Sequence, residues 1–242
     1  MQVALSLPAL KDGVSRAIWM SILFIDIETL PTNNQFLITD LEKTIKAPAT
    51  HKKQESIDAW FVENKEKALN ELISKTSFDG AYGSIACISF SLNTDDEISY
   101  FSTEIASEKN MLIAFFGFIE RNNVTQFCGH NILGFDLPFI KHRSIINNVK
   151  PPAVLVDAFN AKQWSGNVLD TMLMWSQDKQ KMISLDKLCR ILGIECEIDF
   201  DGSMVANEWI NGDKQKVIDY CMQDVDITRQ AYKRLSFQSD VT

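Results

Sequence analysis

Between Ile22 and Thr29 the chain runs through four apolar residues, then Asp26, Ile27, Glu28 and Thr29, and Pro31 stops the run. A nearly continuous apolar stretch of this length, rich in isoleucine, predicts a strand buried on both faces at the centre of a covered sheet. Its two carboxylates hold alternate positions. Side chains alternate across a strand, so Asp26 and Glu28 point to the same side. Like charges placed together repel, and each loses hydration on burial, with no structural return. A divalent cation with oxygen ligands is the simplest group to sit between them. The Asp-x-Glu pattern is short and common on solvated surfaces, so its weight depends on partners elsewhere in the chain.

After Pro31 the periodicity changes. Residues 32–80 are too many for a plain loop in a compact domain. Ile57, Trp60, Phe61, Ala68, Leu69, Leu72 and Ile73 approximate one apolar face, which predicts an amphipathic helix. That helix either packs on the domain or forms a lid or wall beside the Asp26–Glu28 end of the strand. Ala81 to Leu92 and Glu97 to Ser102 read as strands joined by the turn-forming Asn93-Thr94-Asp95-Asp96. Ser107 opens a helix with Met111, Leu112, Phe115, Phe118 and Ile119 inward. Asn122-Asn123 closes it, and Val124 to Cys128 form the next strand. Alternation of this kind indicates an α/β domain.

The stretch Gly129 to Pro138 turns sharply into a helix starting near Leu137, where Asp136 suits an N-cap. His130 reads as a turn or supporting residue, because no second histidine lies at ligand spacing. Beyond Pro151-Pro152, Leu169 to Trp175 and Ser184 to Leu192 read as short helices, the second capped by Ser184 and closed by Gly193. Asp199 and Asp201 fall in a loop and read as solvated. The last helix runs from about Asp213 to Leu235 with Ile218, Cys221, Val225, Thr228, Tyr232 and Leu235 inward. Tyr220 and Asp224 lie one turn apart along the margin of that stripe. Taken alone they are a surface pair.

At 242 residues and 45% hydrophobic content, the chain holds one well-packed domain with an elaboration. No apolar run is long enough to cross a membrane. Five cysteines at irregular spacing and three scattered histidines form no zinc pattern. They indicate unpaired, mostly buried thiols in a reducing cytoplasm. A net charge of -8 argues against a broad electrostatic grip on nucleic acid, while leaving room for a narrow channel with local Lys and Arg. Residues 1–19 lack the basic start and cleavage pattern of a signal peptide. They are expected to be a poorly ordered leader ahead of a domain spanning 20–242, with a short extra element on the sheet edge as the alternative.

Three signals occur in one order: Asp26 and Glu28 on a first strand, Asn131 with Phe135-Asp136 at a strand-to-helix turn, and Tyr220 with Asp224 on a late helix. Together they resemble the DEDD 3′–5′ exonucleases of the RNase H-like superfamily, tyrosine subclass. Gly134 to Pro138, Asp201-Gly202-Ser203, Tyr220-Cys221 and Asp224-Val225 are similar to stand-alone exonucleases like the proofreading domain of family B DNA polymerases. The histidine subclass would need His where Asp219 stands. The departures are the first nineteen residues and the excursion after Pro31.

The resemblance implies an RNase H-like mixed sheet covered by helices, with a partly helical insertion at 32–80. It implies two Mg or Mn ions about 4 Å apart flanking the scissile phosphate. Asp26, Glu28 and Asp224 would hold one ion and Asp26 the other, with Asp136 helping through water. Tyr220 would orient the attacking water. Asn131, Phe135 and Thr29 would contact substrate, Phe135 by stacking on a base of an unwound end. The implied activity is 3′–5′ hydrolysis of single-stranded DNA to nucleoside 5′-monophosphates, as in proofreading or DNA repair, with any polymerase or repair partner open. An exoribonuclease and a catalytically silent nucleic-acid-binding module are the alternatives.

Overall fold

The structure, a computed structural model, describes residues 21–93, 97–163, 165–176, 182–195 and 200–238. The expected leader, most of the 93–96 turn, and Asp199 lie outside the described residues. The central apolar run forms β1 (Ile22–Leu30), the middle strand of a five-stranded sheet. Antiparallel β2 (Ser84–Leu92) lies on one side of β1, with β3 (Ser99–Ser102) beyond it. Parallel β4 (Gln126–Gly129) and then β5 (Val168–Asp170) lie on the other.

Period-two alternation along β1 divides its side chains between two layers. Leu23, Ile25 and Ile27 enter the main core with Phe90, Phe115 and Phe127. That layer is roofed by α3 (Glu108–Arg121) and α4 (Asp136–Ile146). Phe24 faces the opposite layer, where it meets Val225 and Tyr232 of α9 (Lys214–Leu235). Asp26 and Glu28 continue the Phe24 row, so they emerge beneath α9. Pairing of β1 with β4 covers Ile22 to Phe24, whereas pairing with β2 continues to Leu30 with an irregularity between Glu28 and Thr29. The two carboxylates therefore stand where the sheet opens.

Several elements follow the sequence pattern. Ser107 and Ser184 cap α3 and α7 (Leu185–Leu192) through their side chains, and Gly193 closes α7 at φ 67°. The inward stripe of α9 is buried from Ile218 to Tyr232, with Leu235 partly buried. Other expectations are corrected. The span read as one helix from Leu169 is a three-residue strand, β5, followed by α6 (Thr171–Ser176). A strand that short shows no alternation, and its pairing with β4 outweighs local propensity. The short helices α5 (Ala153–Phe159) and α8 (Val205–Asn211) were not apparent from periodicity. Among the described residues, no helix is long and apolar enough to cross a membrane.

The insertion also differs from an amphipathic helix packed on the core. It contains α1 (Gln35–Thr44) and α2 (Gln54–Lys75), then a 3-10 turn at Thr76–Phe78, and neither helix carries a buried residue. Helix α2 lies beside α1 and runs directly into that turn. Its apolar face is only half-buried. The base is tied to the end of β1: Thr29 Oγ1 donates to Ser77 O at 2.7 Å, and Thr32 N–H donates to Thr76 Oγ1 at 2.8 Å. Because residues 32 and 76 already touch, replacing 33–75 with a short Gly-rich turn is expected to leave the melting temperature within about 5 °C of the parent. A fall of more than about 10 °C would make the hairpin part of the core.

Candidate active site

Three elements converge at the open end of the sheet. Strand β1 supplies Asp26 and Glu28. Helix α9 crosses that face and supplies Tyr220, Cys221 and Asp224, and the first turn of α4 supplies Asp136. Ligand atoms of Asp26, Glu28 and Cys221 lie within 4.8 Å of one another. The Cys221 thiol donates to the main-chain oxygen of Asp26 and to its Oδ2, each at 3.4 Å. Burial, followed by nearby thiol and carboxylate groups, pushes the Cys221 pKa up. In the metal-free protein it is a neutral thiol whose hydrogen bonds steady Asp26.

The carboxylates raise one another. Burial is the first cause at Asp26, followed by Cys221, Asp224, Asp136 and Glu28. At Glu28 burial comes first again, then Asp224 and Asp136. Burial pushes Asp136 up to about 7 against the N–H groups of Asp136 itself and of Ile27, which hold it down. Asp224 also rises to about 7 through burial, offset in part by a hydrogen bond from Tyr220. Burial and then the Asp224 charge push the Tyr220 phenol up, so it keeps its proton and donates it to Asp224.

Asp136 does not cap α4, contrary to one sequence expectation. Phe135 holds the cap position without a side-chain cap bond, and Asp136 lies within the first turn. Its Oδ1 is buried with no hydrogen-bond partner among the described residues. A lone buried carboxylate oxygen beside three mutually repelling acids fits a hard divalent cation. The donor set is dominated by carboxylate oxygens, which suits Mg or Mn better than zinc.

This cluster carries a pH prediction. Acids whose folded pKa is raised stabilise the fold while protonated. In metal-free protein that contribution is complete below the ordinary carboxylate range and is lost as pH rises through about 7 for Asp136 and Asp224. One pKa unit is worth about 1.4 kcal/mol, and each kcal/mol moves Tm by about 2–4 °C in a domain of this size. The metal-free Tm is therefore expected to fall by at least about 5 °C from pH 5 to pH 8, and excess Mg should reduce the fall. A flat or rising profile without metal would contradict this electrostatic picture.

The three substrate-contact candidates differ in setting. Asn131 sits in the turn after β4 at φ 61°. Phe135 is half-buried and packs on Phe139, ring centroids 5.7 Å apart. Thr29 is 9% exposed and spends its hydroxyl proton on Ser77 O, so a ligand meets it only as an acceptor. His130 is a supporting residue, as its lack of a partner histidine suggested. Its Nε2 lies 2.8 Å from Ile183 O and its Nδ1 lies 3.0 Å from Thr171 Oγ1.

Sequence reasoning missed three neighbours of the site. Phe200 packs against Tyr220 at 5.0 Å between ring centroids. Both line a groove of about 440 Å³ that runs from Asp224 past Met204 to Arg190 and Ser184. Cys221 was assigned to the buried stripe, and only the crossing of α9 over β1 brings it to Asp26. Asp170, at the end of β5, is 4% exposed and lies under the Asn131 turn. Its one signal was an acid directly after Val168-Leu169, hidden by the helix expected there.

The family described as "Predicted 3'-5' exonuclease related to the exonuclease domain of PolB" matches residues 80–241. That span contains Asn131, Phe135, Asp136, Tyr220 and Asp224, whereas β1 with Asp26 and Glu28 precedes it. No curated protein sequence matches the chain. Among solved structures, the chain is similar to the family B DNA polymerase from the hyperthermophilic archaeon Pyrobaculum calidifontis, with a TM-score of 0.56 and 16% identity. The match covers 94% of this chain and 26% of the polymerase, so the chain spans about a quarter of that protein's length. At that identity the likeness shows the fold, an RNase H-like mixed sheet with helices.

Proposed function

Because the chain belongs to the family of predicted 3'-5' exonucleases related to the exonuclease domain of PolB, we propose that it removes nucleotides from the 3′ end of single-stranded DNA. The products are nucleoside 5′-monophosphates. The observation that carries this reading is the convergence of Asp26, Glu28, Asp136 and Asp224 at the open sheet end, with Asp136 Oδ1 left without a partner among the described residues. Asp26, Glu28 and Asp224 would hold one divalent cation and Asp26 also a second, with Asp136 reaching them through water. When bound, Mg or Mn would lower the pKa of a water and offset charge on the phosphate and the departing 3′ oxygen.

The side chains divide the remaining work. Tyr220 keeps its proton, so its hydroxyl orients the attacking water for in-line displacement rather than deprotonating it. Cys221 holds Asp26 in place through its thiol. Asn131 and Phe135 grip the frayed end, Phe135 by stacking on an unpaired base. The helical hairpin stands at the end of β1 that carries the site. Its replacement by a short turn is expected to change preference for strand length or strandedness while leaving hydrolysis of a very short substrate largely intact. Equal loss on every substrate, with circular dichroism unchanged, would place the hairpin in the site itself.

Matched 5′-labelled DNA and RNA oligonucleotides, single- and double-stranded, test the substrate assignment. Faster shortening of the single DNA strand with release of 5′-monophosphates is expected. Preference for RNA would make the protein an exoribonuclease, and binding without cleavage in Mn or Mg would make it a silent nucleic-acid-binding module.

A further inference from the structure

The turn between β4 and α4 bears Asn131 and Phe135, and it is held from below by one carboxylate. Asp170 Oδ1 accepts from Asn131 N–H at 3.1 Å, Met172 N–H at 3.0 Å and Leu173 N–H at 3.3 Å, and Oδ2 accepts from Leu133 N–H at 3.2 Å. Strand pairing places Asp170 opposite Gly129, two residues before Asn131. The following residue adds to the grip: Thr171 Oγ1 lies 3.3 Å from Gly129 O and 3.0 Å from His130 Nδ1.

Above this platform the turn closes on itself. Gly134 N–H and Phe135 N–H both donate to Asn131 O at 2.9 Å, and Leu137 N–H donates to Ile132 O at 3.1 Å. Asn131 occupies the left-handed region at φ 61°, which asparagine adopts more readily than other residues with a Cβ. Two charge-assisted bonds to Asp170, one at Asn131 and one at Leu133, hold the backbone of the turn in place. At Gly134 a Cβ would collide with Asn131 Oδ1, so the glycine leaves room for that amide.

Asp170 is the fifth acid of the neighbourhood, and its geometry sets it apart from the other four. Four N–H groups already surround its oxygens, whereas the Asp136 Oδ1 has no partner among the described residues. We infer that Asp170 is a positioning residue for substrate rather than a cation ligand: it fixes the turn that aims Asn131 and Phe135 at the strand end. This rests on the nuclease reading above, and its effect falls on substrate affinity rather than on the chemical step.

Asp170→Asn keeps the shape but replaces one acceptor oxygen with an NH2 group facing backbone donors. We expect it to raise KM for a single strand by about tenfold with kcat within about threefold, the scale of one or two lost hydrogen bonds. The Mn-induced rise in Tm should keep its wild-type size. Asn131→Ala should give a similar KM, and the double variant should be no worse than the poorer single one.

Gly134→Ala displaces the Asn131 amide with Asp170 intact, and should raise KM alike. If Asp170→Asn fails to fold, amide hydrogen exchange on the wild type replaces it. The Asn131 and Leu133 N–H groups should then exchange as slowly as the sheet, and fast exchange overturns the proposal. Multiplicative KM effects, an unchanged KM with only a lower Tm, or a lost Mn response in Asp170→Asn would also overturn it. Wild-type protein that shortens no strand defeats the nuclease reading instead. Single-strand binding by anisotropy then decides the inference alone, which stands if Asp170→Asn and Asn131→Ala weaken it without adding.

Discussion

Asp26→Asn is expected to lower single-strand cleavage by at least about 10³-fold and to remove most of the rise in Tm that Mn or Mg produces. Asp26 lies at the centre of the cluster, where Asp224, Asp136 and Glu28 all act on its charge and the Cys221 thiol fixes its orientation. The proposed arrangement has it shared between two cations, so its loss weakens both at once. Asn preserves the volume and one acceptor oxygen while deleting the charge. Removing a buried charge among three others also relieves repulsion, so the metal-free variant should melt at or above the wild-type temperature. If the variant kept the whole metal-induced shift, Asp26 would not be a ligand.

Tyr220→Phe is expected to slow the chemical step by roughly 10- to 10³-fold, within or below the usual range for a positioned proton-transfer group. The substitution keeps the ring, and with it the packing against Phe200. What it deletes is the hydroxyl that here donates to Asp224. That bond sharpens the comparison with Asp224→Asn, which removes a ligand charge and should weaken metal binding as well as rate. A water-orienting role leaves the Tyr220→Phe defect in place at saturating Mn. If high Mn restored the rate, Tyr220 would act by organising Asp224 instead. Single-turnover cleavage across a Mn titration separates the two, and a wild-type rate in Tyr220→Phe would remove Tyr220 from the mechanism.

The parts of this fold legible in sequence are those where one physical signal dominates. The apolar run of β1 announces a central strand, and period two alone puts Asp26 and Glu28 on one face. Helical spacing did the same for Tyr220 and Asp224 on α9, and Ser184 with Gly193 bracketed α7 through local capping chemistry. What stayed hidden depends on contacts between distant residues. Strand β5 exists because β4 offers it hydrogen bonds, and Asp170 matters because the Asn131 turn folds over it. The apolar face of α2 was visible, but periodicity cannot say whether such a face meets a core or another helix. Here α2 lies beside α1 and carries no buried residue, so the face meets no core. Cys221 shows the same limit: its inward position was readable, but its thiol's bond to Asp26 was not.

Stepwise cleavage under metal control tests the central claim most directly. A single DNA strand labelled at its 5′ end should shorten one nucleotide at a time from the 3′ end in Mn or Mg. Shortening should stop in excess chelator and be lost in Asp26→Asn, while a closed circular strand remains intact. Undiminished cleavage in chelator, internal cuts in the circle, or full activity in Asp26→Asn would contradict the assignment of the acidic cluster as a metal-dependent 3′-end nuclease site.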